Sequence, residues 1–186
     1  MTTDIVIPEG KSLCFYNTDG SNNSNCLIDY IILTRTGDAT VSATIGATGW
    51  TTFASSYALD LSSLEGATAY YASAVGDDKV TMTSTESSAV AAGDGLMLKG
   101  TASATITIPV VATGSEISGN KLVGCPTETT ITNETTNYAN FYVLASNGGT
   151  AQFQNIKLYC DGGSTVTIPA GKAYLDATEA GGARAL

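Results

Sequence analysis

The sequence predicts an all-β protein, an antiparallel β-sandwich of jelly-roll or immunoglobulin-like type with little or no helix. Apolar and hydroxyl side chains alternate with a period of two, as in residues 80–83 (VTMT) and 105–108 (TITI), which is typical of half-buried strands. Such runs are separated at short intervals by Gly, Asn, Asp, Ser or Pro clusters, which favours a sandwich or barrel over βαβ units. Only residues 54–64 have any helical pattern, and an irregular connection explains them equally well.

The same criteria predict the remaining strands along the chain. They are expected at residues 12–16, 27–34, 68–72, 95–98, 141–145, 151–159, 165–168 and 172–175. A strand end, a glycine-containing turn and a new strand recur at residues 7–13, 90–96 and 168–175. Glycine permits the positive φ that a tight turn can require. The unequal spacings indicate a recurring hairpin and not a solenoid.

The composition favours an exported protein. Only 13 % of the 186 residues are charged, against about a quarter in ordinary soluble domains. A hydrophobic content of 43 % is enough for a core that folds without a cofactor. No stretch approaches the roughly 20 apolar residues of a membrane span, and residues 1–10 do not resemble a signal peptide. We therefore expect a piece of a longer secreted or cell-surface protein.

The charge argues against anionic macromolecules as partners. Eight basic and 17 acidic residues give a net charge of -9, which repels phosphate backbones and anionic lipid headgroups. Nucleic acid and membrane surfaces are therefore poor candidates for partners. Solubility alone also explains this charge.

None of the four cysteines, Cys14, Cys26, Cys125 and Cys160, has the two-residue spacing of a zinc ribbon or a redox dithiol. Cys14 and Cys26 flank a turn-rich tract, so a hairpin would place them nearly opposite each other and allow a disulfide. The alternative is that all four are small buried hydrophobic residues.

Several segments together resemble a known kind of module. They are residues 49–53, 58–60, 67–70, 90–100, 120–124, 141–144 and 168–175. In this order they resemble the β-sandwich accessory modules near the C-termini of secreted and surface proteins of Bacteroides and Prevotella relatives, often beside polysaccharide-degrading domains. The resemblance covers residues 39–186 and implies a non-catalytic appendage of a glycan-processing protein. It assigns no ligand-binding positions, because the family has no single established ligand.

The first 38 residues differ from that module. Residues 7–11 and 26–34 are similar to the closing hairpin of jelly-roll carbohydrate-binding modules, which commonly end in a strand of the Asp-Tyr-Ile type. We therefore divide the chain into an N-terminal hairpin, residues 1–38, and a β-sandwich accessory domain, residues 39–186. The hairpin either completes the sandwich or belongs to a preceding module.

The residue types argue against an enzyme. The chain has no histidine, which removes the usual general base and the commonest metal ligand. Carboxylates that a glycosidase could pair are available, but none lies in a strand context that aims it into a cleft with a second acid. They are Asp60, Glu65, Asp77, Asp78, Glu86 and Asp94. We expect these acids to be solvated loop residues.

Calcium is the one metal that the sequence allows. Asp19 with the nearby asparagines, or Asp77 with Asp78, has the oxygen ligands that Ca²⁺ accepts. Neither tract has the spacing of a calcium loop, and ordinary turn chemistry explains both. We predict no metal site or cofactor, with a structural calcium as the alternative.

Aromatic rings and amides are the side chains suited to a neutral glycan, because a pyranose has an apolar C–H face and a rim of hydroxyls. The predicted ligand-binding residues are Tyr138, Tyr159, Tyr71, Asn137, Asn140 and Trp50. Tyr138 ranks first because it lies in a polar tract, whereas the position of Trp50 near Phe53 favours a core role. Alternation over residues 152–159 predicts that Ile156 and Leu158 face the core, with Phe153 on the opposite face and Tyr159 turned outward.

These observations predict a non-catalytic polysaccharide-binding module of a secreted glycan-processing protein. Its expected partners are a plant cell-wall or host glycan and an attached catalytic domain. The alternative is a structural spacer or surface-presentation domain without a glycan ligand.

Overall fold

The computed structural model describes residues 39–76, 79–85, 88–133, 138–160 and 164–178. These residues lie within one compact unit. Among them, no helix has the length and hydrophobicity needed to cross a membrane.

The described residues form fourteen strands and two 3₁₀ helices. The strands are β1 (Thr40–Thr44), β2 (Trp50–Phe53), β3 (Ala58–Asp60), β4 (Ala67–Val75), β5 (Val80–Ser84), β6 (Ala89–Val90), β7 (Leu96–Gly100), β8 (Thr105–Val111), β9 (Leu122–Cys125), β10 (Thr129–Thr132), β11 (Phe141–Asn147), β12 (Thr150–Asn155), β13 (Thr165–Ile168) and β14 (Lys172–Asp176). The 3₁₀ helices are Tyr138–Asn140 and Ile156–Tyr159.

The strands form four sheets. Sheet I has the order β1-β8-β3-β6, sheet II the order β2-β7-β4-β5, and sheet III the order β12-β11-β14-β9. Sheet IV is the pair β10-β13. The strands of every sheet pair antiparallel. The predicted all-β, antiparallel sandwich class is confirmed.

Sheet II is covered on both faces. Leu96 and Leu98 of β7 point to a core shared with sheet I, where they join Ile106 and Ile108 of β8. The intervening Met97 points to the opposite core, shared with sheet III. Since successive side chains of a strand lie on opposite faces, sheet II is an inner layer between sheets I and III.

Sheet III is also an inner layer. Tyr142 of β11 packs in the core shared with sheet II. The preceding Phe141 packs on the other face, with Ile131 and Val166 of sheet IV. The described residues therefore form a stack of sheets in the order I, II, III, IV, with three apolar cores. Each fully buried Leu, Ile or Phe side chain contributes about 1.5–3 kcal/mol to folding.

Two of the predicted glycine turns have the expected geometry. Gly93 has a φ of 89° and Gly171 a φ of 78°. In each turn the fourth residue donates its N–H to the carbonyl oxygen of the first residue. The pairs are Asp94 to Ala91 and Lys172 to Pro169. A positive φ at the third position is the requirement of a type II turn, and glycine meets it without a steric penalty.

The prediction of one continuous strand over residues 151–159 is wrong. The strand ends at Asn155, whose side chain accepts a hydrogen bond from the Lys157 N–H at 3.1 Å and begins the second 3₁₀ helix. With three residues per turn, the strand alternation no longer holds. Ile156 is buried as predicted, but Leu158 is 72 % exposed. Phe153, assigned to the face opposite the core, is buried between sheets II and III.

Residues 54–64 contain no helix. They form irregular connections around the short strand β3. The predicted N-terminal hairpin, the Cys14–Cys26 disulfide, the two calcium tracts and Asn137 lie outside the described residues.

Candidate functional site

A groove of about 440 Å³ lies where sheets II, III and IV approach one another. One wall is formed by the turn at residues 46–48 and by residues 50–52 of β2. Residues 143–146 of β11, residues 166–168 of β13, Pro169 and residues 172–173 of β14 form the rest, with Tyr159 beside them. The groove is thus built mainly on strands, which hold their side chains more rigidly than loops do.

Tyr159 is the exposed aromatic ring of the groove. It ends the second 3₁₀ helix, three residues after the fully buried Ile156, and 41 % of its surface is exposed. Its hydroxyl donates a hydrogen bond to the Gln154 side chain. The phenol is therefore held by an anchored helix at one end and an amide at the other, which limits its freedom to rotate.

Trp50 forms a wall of the groove and is half-buried. The Tyr70 ring lies against it with a centroid separation of 5.5 Å and an interplanar angle of 52°. The Lys99 ammonium lies 5.0 Å from the centroid of the indole, within the range of a cation–π contact. These two contacts fix the indole, so that Trp50 shapes the groove and Tyr159 offers the more open ring.

Among the described residues that line the groove, Lys172 is the charged one. Its ammonium donates a 2.9 Å hydrogen bond to the Thr51 hydroxyl. Burial lowers its pKa below the ordinary value of 10.5, because a low-dielectric environment disfavours the charged form. No carboxylate among the described residues forms an ion pair with it.

Hydrogen bonds from β14 and its turn to β2 hold Lys172 in place. The Ala173 N–H donates to the Thr52 hydroxyl at 3.2 Å, and the Ala54 N–H donates to the Gly171 carbonyl at 3.1 Å. Thr51 and Thr52 are each 6 % exposed, so their hydroxyls are committed to these contacts. The position of the lysine is therefore set by the joint between sheets II and III.

A second cavity of about 460 Å³ is lined by residues of β8 and by the connections before β4 and β8, including Glu65. None of the described residues that line it is aromatic. The groove is the better candidate for a binding site because it combines apolar walls, aromatic rings and a few polar groups, which is typical of small-molecule sites.

The prediction that Tyr138 is an exposed platform is wrong. Its ring is only 5 % exposed and packs in the core between sheets III and IV. Tyr138 opens the 3₁₀ helix before β11, and this turn directs the ring inward despite the polar tract around it. The Tyr138 hydroxyl contacts the Cys160 thiol.

The other predicted residues are distributed unevenly. The groove brings Trp50 and Tyr159 together. Tyr71 is half-buried on the face of β4 opposite Tyr70, and it does not line the groove. Asn140 is half-buried near β11, also away from the lining, and its carbonyl accepts a hydrogen bond from Ala177.

Lys172 is a site residue that the sequence did not predict. Residues 168–175 were predicted only as a strand end, a glycine-containing turn and a new strand, with no role for the lysine that follows Gly171. A signal was present, since β14 alternates strictly and places Lys172 on the same face as Tyr174. The residues of β14 on that face are half-buried, which limits the access of the lysine to solvent.

The described carboxylates have local roles. Asp60 accepts hydrogen bonds from the backbone and side chain of Ser62, which lower its pKa. Burial raises the pKa of Asp94, although it accepts a hydrogen bond from the Ile117 N–H. Within the described ranges, no three His, Cys, Asp or Glu residues are grouped as a metal site would require. Cys125 and Cys160 are unbridged thiols.

No family model, curated protein or solved structure matches the chain.

Proposed function

We propose that the chain is a non-catalytic carbohydrate-binding module and that the groove is its glycan site. The observation that carries the proposal is the meeting of Tyr159, Trp50 and Lys172 around one cavity of about 440 Å³. A cavity of this size accommodates one or two sugar residues at the low end of the range for ligand pockets.

The groove offers both kinds of contact that a sugar requires. The exposed face of Tyr159 can stack on the apolar C–H face of a pyranose. The Lys172 ammonium of the lining can hydrogen-bond to sugar hydroxyls. So can the Gln154 amide, which accepts from the Tyr159 hydroxyl at the edge of the groove. The apolar walls from β11 and β13 exclude water from these contacts.

The lack of acids among the described lining residues supports a non-catalytic role. A glycosidase generally needs two carboxyl groups about 5–9.5 Å apart across the scissile bond. Among the described residues that line the groove there is no Asp or Glu, and the whole chain has no histidine. A glycan bound to these residues would therefore meet no pair of carboxyl groups.

The proposal includes an exported setting beside a catalytic domain. It is supported by the low charged fraction of 13 % and by the resemblance of residues 39–186 to accessory modules of glycan-processing proteins. In that setting the module would hold a polysaccharide, such as a plant cell-wall glycan, near the attached enzyme.

Affinity electrophoresis tests the proposal. The protein is run through native gels that contain xylan, glucan, mannan or pectin. We expect retardation in at least one gel and a roughly tenfold weaker affinity for Tyr159→Ala. This expected loss of affinity is taken from the stacking of bases on aromatic rings, which contributes about 1–3 kcal/mol per base. A change of about 1.4 kcal/mol in binding free energy corresponds to a tenfold change in affinity.

Tyr57→Ala is the matched control, because Tyr57 is 59 % exposed and does not line the groove. It should bind as the unmodified protein does. Equal retardation of both variants would place the glycan outside the groove. Normal mobility in all four gels would contradict glycan binding and favour the spacer or surface-presentation role.

Reducing-sugar release tests the non-catalytic part separately. Incubation with the same four polysaccharides should release no more sugar than a blank without protein. Release above the blank that is lost in a carboxylate variant would show that the chain is an enzyme.

A further inference from the structure

The charge of the groove is the opposite of the charge of the chain. The protein has a net charge of -9, yet among the described residues that line the groove Lys172 is the one with a charge and none is a carboxylate. On an acidic protein, a surface lysine generally lies near carboxylates with which it can form an ion pair. Here it is directed into a largely apolar groove, with a neutral threonine hydroxyl as its partner.

An ammonium in this position is unfavourable for folding alone. Burial removes water from the charged form, as the lowered pKa of Lys172 reflects. A neutral hydroxyl accepts one hydrogen bond but does not neutralise the charge. One of the three ammonium hydrogens is used by Thr51, so others remain available for a ligand.

The surrounding groups suit a sugar with one negative charge. The Tyr159 ring gives a stacking surface, and the Gln154 amide that accepts its hydroxyl retains its NH₂ donors. A carboxylate on the bound sugar would complete the set, since an ammonium–carboxylate hydrogen bond is about twice as strong as a neutral one.

Resting on the glycan-binding role proposed above, we propose that the groove binds a uronic acid residue, whose carboxylate pairs with the Lys172 ammonium while its ring stacks on Tyr159. The neutral counterpart of a uronic acid has a hydroxymethyl group in place of the carboxylate. It therefore has nearly the same shape but leaves the ammonium without a counter-charge.

The acidic remainder of the chain limits what kind of polymer fits. At physiological ionic strength the Debye length is about 8 Å, so carboxylates elsewhere on the protein do not prevent one close ion pair in the groove. They do repel a densely charged polymer over its whole length. The groove is therefore suited to glycans with isolated uronic acids in a mainly neutral chain.

Saturation-transfer NMR with four small probes tests this assignment. The probes are the methyl glycosides of glucuronic acid, glucose, galacturonic acid and galactose, which form two pairs that differ only in carboxylate against hydroxymethyl. The measured quantity is the ratio of the dissociation constants within a pair. We expect at least one uronide to bind about tenfold more tightly than its neutral partner at low salt, with a smaller ratio at 0.5 M NaCl.

Two variants remove the charge from the groove, and a third is the control. Lys172→Met should reduce the ratio to about one, and so should Lys172→Gln, which keeps a donor toward Thr51. Lys79→Met removes the same charge from an exposed position away from the groove and should keep the original ratio. Unfolding curves recorded for all three check that each variant is folded.

The outcomes separate this inference from the proposed function. A ratio near one in the unmodified protein, or a preference that survives in both Lys172 variants, overturns the assignment of a uronic acid. So does the absence of saturation transfer to both uronides. Retardation in the polysaccharide gels decides the glycan-binding role independently of any of these results.

Discussion

The buried hydroxyl of Tyr142 makes replacement by phenylalanine a stabilising change. Tyr142 lies in β11, is fully buried in the core between sheets II and III, and its hydroxyl has no hydrogen-bond partner within the described part of the chain. Tyr142→Phe keeps the ring and removes only this oxygen. The change therefore isolates the cost of burying one unpaired polar group.

The size of the effect follows from that burial. An unsatisfied buried hydroxyl costs about 1–3 kcal/mol, so we expect Tyr142→Phe to raise the free energy of unfolding by about 1–2 kcal/mol. For a protein of this size each kcal/mol corresponds to a shift of about 2–4 °C in Tm. Urea unfolding followed by circular dichroism measures the change, and an unaltered m-value confirms that the compared states are equivalent.

Tyr159→Phe is the control for removing a phenol oxygen. Its hydroxyl is at the surface, where it donates to Gln154 and where water can replace the contact. We expect a change within about 0.5 kcal/mol. If Tyr142→Phe instead lowers stability by 1 kcal/mol or more, the hydroxyl has a partner and the close packing of sheets II and III around it is wrong.

Three further predictions concern packing, titration and the cysteines. Gly124→Ala should destabilise the protein by about 1–3 kcal/mol, because an added Cβ would lie 2.2 Å from the Gly93 carbonyl oxygen. The control Gly76→Ala should be nearly neutral, because the closest contact of its added Cβ would be 3.7 Å. Equal urea midpoints for the two variants would contradict this prediction. Burial raises the pKa of Asp94, so the folded state binds its proton more tightly and loses stability as pH rises above 3.8. The Tm of Asp94→Asn minus that of the unmodified protein should therefore grow between pH 3 and pH 6, and a constant difference would be contrary to expectation. A Cys14–Cys26 disulfide should protect both thiols from alkylation without reductant, and an intact mass with four alkylated thiols would exclude it.

Where one strand face is buried and the other exposed, the sequence pattern was sufficient to predict the strands. Residues 165–168 alternate Thr, Val, Thr, Ile, and β13 has these bounds with both apolar residues buried. The glycine turn before β14 was also predictable, because the positive φ of Gly171 has a direct sequence signature. Local physics determines these features, so a local pattern reveals them.

The sequence pattern fails to predict the burial of a side chain where the stacking of the sheets determines that burial. Sheet III has no exposed face over much of its area, so assigning Phe153 to an outer face could not succeed. Tyr138 was judged by its polar neighbours in sequence, whereas its position in a 3₁₀ helix over a core determines its burial. The approach of Lys172 to Thr51 joins residues 121 positions apart, and no local pattern contains such a pair.

The most direct measurement of the glycan-site assignment uses the single tryptophan of the chain. Trp50 lines the groove, so 5-fluorotryptophan labelling gives one ¹⁹F resonance that reports on the groove. On titration with a polysaccharide that retards the protein in a native gel, we expect a saturable shift of that resonance. For Tyr159→Ala the midpoint of the shift should lie at an about tenfold higher polysaccharide concentration. A resonance that stays fixed while the gel shows binding would contradict the assignment and place the glycan on another surface.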